Sequence, residues 1–155
     1  MEILDHSPGA VDLDRLNNIG VLLFNHDTYS VCGKIRRAWI ENEKGYAEVE
    51  FDTDEAAEVV YQKVKSGTLK ATSVRYKVNA WEEVAANKKS SNGKYTGPCS
   101  IAVSWEALEI SIVSVPADAT VGVGRELEEH SEKETKKHGR RSINELQLNT
   151  NKNYL

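Results

Sequence analysis

The pattern of apolar and polar positions along the chain predicts a protein built mainly from strands. An apolar run, VLLF at 21–24, ends directly before an asparagine and a histidine. The segments KIRRAWI (34–40) and YAEVEF (46–51) are separated by ENEKG, where Gly45 allows a tight reversal. From Ala47 onward apolar residues alternate with polar ones, as in a strand with one face on the core and one in water. The two segments are therefore predicted to form a β-hairpin.

A helical pattern follows this hairpin. Asp52 or Thr53 is the predicted cap, and Glu55 completes an Asp-x-x-Glu box. Gly67 is expected to end the helix. The predicted apolar stripe consists of Ala56, Val60 and Val64. A further turn of helix is predicted in AVDLDRL (10–16), so the chain combines several strands with short helices.

Two long strands are predicted in the second half, TLKATSVRYKV (68–78) and IAVSWEALEISIVSVPA (101–117), around a polar, exposed insertion at 87–97. Residue parity places Ser73 on the polar face of the first strand. In the second strand Glu109 lies between a leucine and an isoleucine, and a carboxylate in such a setting usually needs a partner. Both side chains are therefore candidates for a polar site.

Length and charge limit the class of protein. The chain has 155 residues, of which 28% are charged, and a formal net charge of −4 at pH 7. The segment from Arg125 is too polar to bury the surface that would offset its ordering entropy. We therefore expect one domain at 1–124 and a charged, disordered tail at 125–155.

Several partners are disfavoured by the sequence. No apolar run is long enough to cross a bilayer and the N-terminus has no leader pattern, so a cytoplasmic protein without membrane contact is expected. The net charge and the lack of a clustered basic face argue against specific binding of nucleic acid. Cys32 and Cys99 have no metal-ligand spacing. No metal site or disulfide framework is therefore predicted.

Taken one at a time, the polar candidates have ordinary interpretations. His26, directly after the VLLF run, fits a structural histidine at the rim of a core. Ser73 fits a solvated strand serine, and Glu109 fits an acid that faces water or pairs with a lysine. The residues alone therefore indicate a β-rich domain with three scattered candidate side chains.

Five motifs follow one another along the chain: SPGAVDLDRL, LLFNHD, CGKI, FDTDEAAEVVYQKVKSGTLKATSVRY and LEISIVSVPADATVGV. In this order they resemble the prohead serine protease family of tailed bacteriophages, which are capsid maturation proteases related to the herpesvirus assemblin proteases. The resemblance covers residues 1 to about 123. It implies an α+β, mainly β fold, namely a helix-flanked β-barrel of the herpesvirus-protease type.

The resemblance also implies the site residues. Ser73 of ATSVRY matches the nucleophile of the family, and His26 of LLFNHD matches its base. Glu109 of LEISIV falls where the herpesvirus relatives carry a second histidine, and we expect it to orient His26. Asp27 is the alternative third member, but it could orient His26 only if the strand has ended there, because neighbours on an extended chain point to opposite faces. The glycine-rich VGVGR (121–125) is the candidate source of backbone oxyanion donors.

The implied function is that of a serine endopeptidase. It would cleave scaffold and major capsid protein precursor segments, and also itself, inside an assembling procapsid in the host bacterial cytoplasm. No metal or organic cofactor is implied, and the herpesvirus relatives suggest that a homodimer should be tested. The alternative is a catalytically impaired scaffold or assembly module that binds capsid protein. If the resemblance were accidental, a generic ligand-binding barrel would remain.

Three features depart from the family pattern, one of which is the insertion at 87–97, which is longer than the family requires. Arg75 stands where members commonly have a glycine, and its side chain shares a face with Ser73. It would therefore either crowd the nucleophile or bind an acidic group of the substrate. Members usually have a further strand ahead of SPGAVDL, whereas this chain begins almost at that segment, so we expect a barrel that lacks this N-terminal strand or is completed differently.

Overall fold

The computed structural model describes residues 1–116 and, beyond them, two strands at 122–123 and 142–148. The elements in chain order are β1 (Glu2–Leu4), β2 (Val11–Asp12), α1 (Asp14–Ile19), β3 (Val21–Phe24), β4 (Asp27–Glu41), β5 (Lys44–Phe51), α2 (Glu55–Lys65), β6 (Ala71–Val84), β7 (Cys99–Val113), β8 (Gly122–Val123) and β9 (Ser142–Leu148). The described part of the chain is thus mainly β with two helices, which confirms the class predicted from the sequence.

Strand β7 organises the sheet because it pairs along both of its edges. One edge pairs in parallel with β1, then β2, then β3, and the other pairs antiparallel with β6. From β3 the sheet continues through β4, β5, β9 and β8, and it curls into a half-barrel. Leu22, Ile110 and Ile112 are fully buried between these strands. Truncating one of them to alanine would cost about 2–5 kcal/mol of stability.

The hairpin of β4 and β5 confirms the predicted pairing but not the predicted turn. The chain reverses at Asn42 and Glu43, whose φ values of 50° and 59° are left-handed. Two-residue hairpin turns favour this conformation because it matches the twist of the flanking strands. Gly45 lies instead within β5, opposite Ile40. The prediction of a reversal at Gly45 was therefore wrong.

Helix α2 begins slightly later than its pattern suggested. The N-cap is Asp54, whose carboxylate accepts a hydrogen bond from the N–H of Ala57 at 3.1 Å, and not one of the two preceding residues. The same shift places Ala57, rather than Ala56, on the buried face. The buried residues of the helix are Ala57, Val60 and Val64. Gly67 follows the helix with a φ of 78°, as predicted.

The N-terminal part of the chain is more extended than predicted. Val11 belongs to β2, and the helical turn starts only at Asp14. Leu16 of α1 is fully buried, as expected from its pattern. The strand β1 lies ahead of the SPGAVDL segment and pairs with β7.

The polar insertion between β6 and β7 is mostly exposed, as predicted, and it also folds back on itself. Ser90 is only 4% exposed. Its N–H donates to the Tyr95 carbonyl oxygen at 2.9 Å, and its Oγ accepts from the Tyr95 N–H at 3.0 Å. This loop is therefore a hydrogen-bonded unit.

Part of the segment predicted to be a tail lies in the sheet. Ser142–Leu148 forms β9, which pairs with β5 and β8. The other residues from 125 onward lie outside the described part of the chain, so the division into 1–124 and 125–155 stays a prediction. Neither helix in the described part is long and apolar enough to cross a membrane.

Candidate active site

Polar side chains meet where β3, β7 and β6 lie side by side. Ser111 of β7 is the Cα partner of Leu23 in β3 and of Ser73 in β6. Two residues before it, Glu109 is paired with Arg75 of β6. Residues directly opposite each other in an antiparallel pair share a face of the sheet. The two serines, the glutamate and the arginine therefore lie on one face.

His26 reaches this region from a two-residue turn between β3 and β4. Asn25 and His26 have φ values of 53° and 58°, as both central residues of a type I′ hairpin turn require. The Asn25 N–H donates to the Ile112 carbonyl oxygen at 2.8 Å, and the His26 N–H donates to Ser111 Oγ at 3.0 Å. The strand thus ends before the histidine, and the turn is fastened to β7.

The His26 imidazole contacts the Glu109 carboxylate. Nδ1 of His26 and Oε1 of Glu109 are 2.5 Å apart. An ionised carboxylate only accepts hydrogen bonds, so Nδ1 carries a proton and the neutral ring has its lone pair on Nε2. The side chain of His26 is 31% exposed and that of Glu109 is 10% exposed. The ring is therefore held in one tautomer and remains accessible, which suits a histidine that accepts a proton.

The buried Glu109 carboxylate has two further polar neighbours. Ser111 Oγ donates to its Oε2 at 2.8 Å, and Arg75 Nε lies 3.6 Å from its Oε1. The expectation that this carboxylate needs a partner agrees with these contacts. Together with His26 they offset the cost of burying a charge in the sheet.

Asp27, the alternative acid, has other partners. Its carboxylate accepts hydrogen bonds from the Tyr29 N–H at 2.9 Å and from the Ser30 hydroxyl at 2.8 Å. These two bonds, the backbone one first, lower the pKa of Asp27 below its usual value. Of the two acids considered from the sequence, Glu109 is the one that contacts the His26 ring.

Ser73 lies half-buried on β6, across from Ser111. Antiparallel partners have Cα atoms about 4.5–5.5 Å apart, so Ser73 is one strand spacing away from the strand that carries Glu109. Two residues along β6, Arg75 extends across β7, and its Nη2 donates to the His26 carbonyl oxygen at 3.2 Å. Its side chain is 49% exposed. The arginine on the face of Ser73 is thus engaged with the His26 turn.

Sequence reasoning missed the part played by Ser111 in this network. Ser111 stands two residues after Glu109, on the same face of the strand by parity, and this was the available signal. Its bonds to His26 depend on the pairing of β3 with β7, which the sequence does not specify.

The described part of the VGVGR segment, and the buried His6, lie elsewhere. Gly122 of the VGVGR segment is in β8, opposite Gln147, and the rest of that segment lies outside the described residues apart from Val123. His6 is buried near the start of the chain, and His130 and His138 lie outside the described part. Among the described residues, no group of three or more His, Cys, Asp or Glu could hold a metal ion.

An imidazole paired with a carboxylate is the arrangement that activates a serine nucleophile in hydrolases. A family model described as Caudovirus prohead serine protease matches residues 6–138. The chain belongs to this family, which confirms the resemblance seen in its motifs. The chain is also 34% identical over 129 residues to a protein of Halomonas phage phiHAP-1 named major capsid protein. That match covers 81% of this chain and 20% of the relative, so the chain spans about a fifth of the relative's length. No solved structure matches the chain.

Proposed function

We propose that this chain is a serine endopeptidase that cleaves scaffold and major capsid protein precursor segments during procapsid maturation. The observation that carries the proposal is the 2.5 Å contact between His26 Nδ1 and Glu109 Oε1, one strand from Ser73, in a chain of the prohead serine protease family. In this proposal Ser73 is the nucleophile, His26 is the general base, and Glu109 orients His26.

The reaction follows from these three roles. Ser73 Oγ attacks the carbonyl carbon of the scissile peptide while Nε2 of His26 takes the hydroxyl proton. The imidazolium, stabilised by Glu109, gives that proton to the leaving nitrogen as the C–N bond breaks. Water, deprotonated by the same Nε2, then hydrolyses the acyl-enzyme and restores Ser73. Backbone N–H groups of VGVGR (121–125) are the proposed donors to the oxyanion of the tetrahedral intermediate.

The substrates and the setting are proposed from the comparisons. The family description refers to the prohead, and the Halomonas phage relative is named a major capsid protein. We therefore place the activity inside the assembling procapsid in the host bacterial cytoplasm, acting on capsid precursor, scaffold and its own chain. Family membership also supports completion of the half-barrel as a helix-flanked barrel of the herpesvirus-protease type, and a homodimer as the state to test.

A catalytically impaired assembly module that binds capsid protein is the second candidate. The name of the phage relative favours it, because association with capsid protein requires no peptidase activity. Both candidates predict binding to capsid protein. Only the first predicts cleavage that depends on Ser73.

The test is co-expression of the full chain with a capsid precursor, followed by intact-mass spectrometry. The wild type should yield shortened precursor and a shortened form of its own chain, whereas Ser73→Ala should yield neither. Ser100→Ala is a matched control on β7. The Ser100 Oγ donates a hydrogen bond of 2.7 Å to the Glu83 carboxylate, and this pair lies away from the site. Uncleaved precursor bound equally by wild type and Ser73→Ala would reject the peptidase and favour the assembly module.

A further inference from the structure

The turn that carries His26 is held to the end of β7 by several hydrogen bonds. The His26 N–H donates to Ser111 Oγ at 3.0 Å, and the Asn25 N–H donates to the Ile112 carbonyl oxygen at 2.8 Å. In addition, the Ser114 N–H donates to Asn25 Oδ1 at 2.9 Å. His26 has a φ of 58°, which residues other than glycine adopt uncommonly. These bonds therefore hold a backbone conformation that the chain alone disfavours.

Ser111 differs from the other anchors because its hydroxyl contacts two parts of the site. It accepts the His26 N–H and donates its own proton to Glu109 Oε2 at 2.8 Å. A hydroxyl has one donor and two acceptor lone pairs, so both bonds form together. Ser111 is 0% exposed, so bulk water does not compete for them.

We propose that Ser111 is a positioning residue that aligns His26 and Glu109 without touching the substrate; this rests on the proposed peptidase function. With Oε2 bound to Ser111, Glu109 presents Oε1 to His26 Nδ1 at 2.5 Å. Arg75 Nε lies 3.6 Å from the same Oε1, so a second cationic group is within reach of the carboxylate. Without the Ser111 hydroxyl, the carboxylate turns toward Arg75 and the His26 turn loses one of its anchors.

The main test is a double-mutant cycle on kcat. Ser111→Ala should lower kcat about 10- to 100-fold, because a small misplacement of a reacting group can cost about 100-fold in rate, with little change in KM. In a Glu109→Gln background the same substitution should lower kcat several-fold less than in the wild type, because the part of its effect that acts through Glu109 is already lost. Equal losses in the two backgrounds, or a wild-type kcat in Ser111→Ala, would overturn the proposal.

Ser90→Ala is the matched control for the loss of a buried hydroxyl. Ser90 is 4% exposed, accepts from the Tyr95 N–H at 3.0 Å and donates to Asn92 Oδ1 at 2.7 Å, in the loop before β7. Both substitutions should lower Tm to a similar extent, because each removes a hydroxyl with two hydrogen bonds. Only Ser111→Ala should lower kcat. An equal fall of kcat in both variants would show that the loss of activity comes from a general loss of stability, and it would reject the positioning role.

A readout that needs no cleavage separates this inference from the proposed function. The Nδ1 proton of His26, in its short bond to Glu109, should give a proton NMR resonance downfield of the amides in the wild type and in Ser90→Ala. The resonance should vanish in His26→Gln and should weaken or move upfield in Ser111→Ala. An unchanged resonance in Ser111→Ala would overturn the positioning role even in an active enzyme. A changed resonance in a protein whose cleavage does not depend on Ser73 would overturn only the proposed peptidase function.

Discussion

Two regions of the molecule bring together an acid, a histidine and a serine, and they arrange them differently. The N-terminal cluster, Asp5–Ser7, has the three side chains in consecutive positions. The β7 site, made of His26, Ser73 and Glu109, draws them from a turn and two strands. In the β7 site the carboxylate contacts the imidazole at 2.5 Å, and the serine lies one strand away.

In the N-terminal cluster the serine hydroxyl and the imidazole donate their hydrogen bonds to different acceptors. The Ser7 hydroxyl donates to Asp5 Oδ1 at 2.7 Å, and Nδ1 of His6 donates to the Leu4 carbonyl oxygen at 2.9 Å. His6 is 3% exposed and lies edge-on to Trp105, with ring centroids 5.3 Å apart. This geometry buries the imidazole and fastens the first strand to β7. Strand register, and not adjacency in the sequence, therefore brings the His26 imidazole to a carboxylate.

The largest expected effect separates the two regions by activity. Ser73→Ala and His26→Ala should each lower kcat/KM by about 10³-fold or more, because they remove the proposed nucleophile and the proposed base. Ser7→Ala, the matching change in the N-terminal cluster, should leave kcat/KM close to the wild type. The measurement is the initial rate on a peptide that spans the capsid or tail cleavage site. A wild-type rate in Ser73→Ala or in His26→Ala would mean that the β7 site differs no more in activity than the N-terminal cluster does.

The next effect tests which acid matters. Glu109→Gln should slow turnover by roughly 10- to 10⁴-fold, since an orienting group contributes less uniformly than the nucleophile. Asp27→Asn should have a much smaller effect, because its carboxylate binds Tyr29 and Ser30. The rates of the two variants on the same peptide decide the matter. If Asp27→Asn is the more damaging change, the assignment of Glu109 is wrong.

Local patterns predicted much of the fold, while the site depended on information that local patterns lack. Alternation and helix signals located the β4–β5 hairpin and α2, because they report which face of a segment is buried. They misplaced the turn at Gly45 and the helix cap, since several neighbouring residues satisfied the same local rule. The contact of His26 with Glu109 depends on the pairing of β3 with β7, which join residues far apart in the chain. Family motifs nominated this pair of residues, and parity showed only that Glu109 needed a partner.

His6 should matter more than His26 for stability, although His26 should matter more for activity. His6→Ala should lower the free energy of unfolding by about 2–4 kcal/mol, as expected for truncating a large buried side chain. His26→Ala should lower it less, by about 1–2 kcal/mol, because Glu109 loses one partner but keeps Ser111 and Arg75. Urea unfolding followed by tryptophan fluorescence would report both values, with Trp105 as a probe beside His6. A larger loss in His26→Ala would show that His26 contributes more to the stability of the fold than His6 does.

The pH dependence of the rate should depend on Glu109. Only a neutral imidazole can accept the serine proton, and free histidine titrates near about 6.5, so the rate should fall in acid. A carboxylate beside an imidazole favours the protonated ring. Glu109→Gln should therefore move the acidic limb of the pH–rate profile to lower pH, while the maximal rate falls. Asp5→Asn is the control in the N-terminal cluster and should leave the limb in place. A limb that stays fixed in Glu109→Gln would mean that Glu109 acts on some other group.

The smallest expected effect concerns a buried thiol, through which pH should act on stability and not on rate. Cys32 of β4 is 2% exposed, and its Sγ lies 3.5 Å from the carbonyl oxygen of Leu22 in the strand before the His26 turn. Burial, with the nearby Asp52 and Asp54 carboxylates, raises the pKa of the Cys32 thiol from 9.0 to about 12. Between these values the native protein keeps a proton that the unfolded chain releases. The stabilisation from the neutral thiol is thus complete below about pH 9 and is lost as the pH rises toward 12.

Cys32→Ala should therefore lose less stability in alkali than the wild type does. Between about pH 8 and about pH 10.5 the difference in the fall of the free energy of unfolding should reach about 2 kcal/mol, because one pKa unit corresponds to about 1.4 kcal/mol. Urea titrations of both proteins at several pH values give this difference directly, and other groups that titrate in alkali cancel between them. The Cys32→Ala variant should keep the acidic limb of the rate profile, since Cys32 lies outside the β7 site. If the free energies of unfolding of the two proteins fall in parallel with pH, the thiol titrates alike in the native and unfolded chains. Water would then reach Cys32 in the native protein.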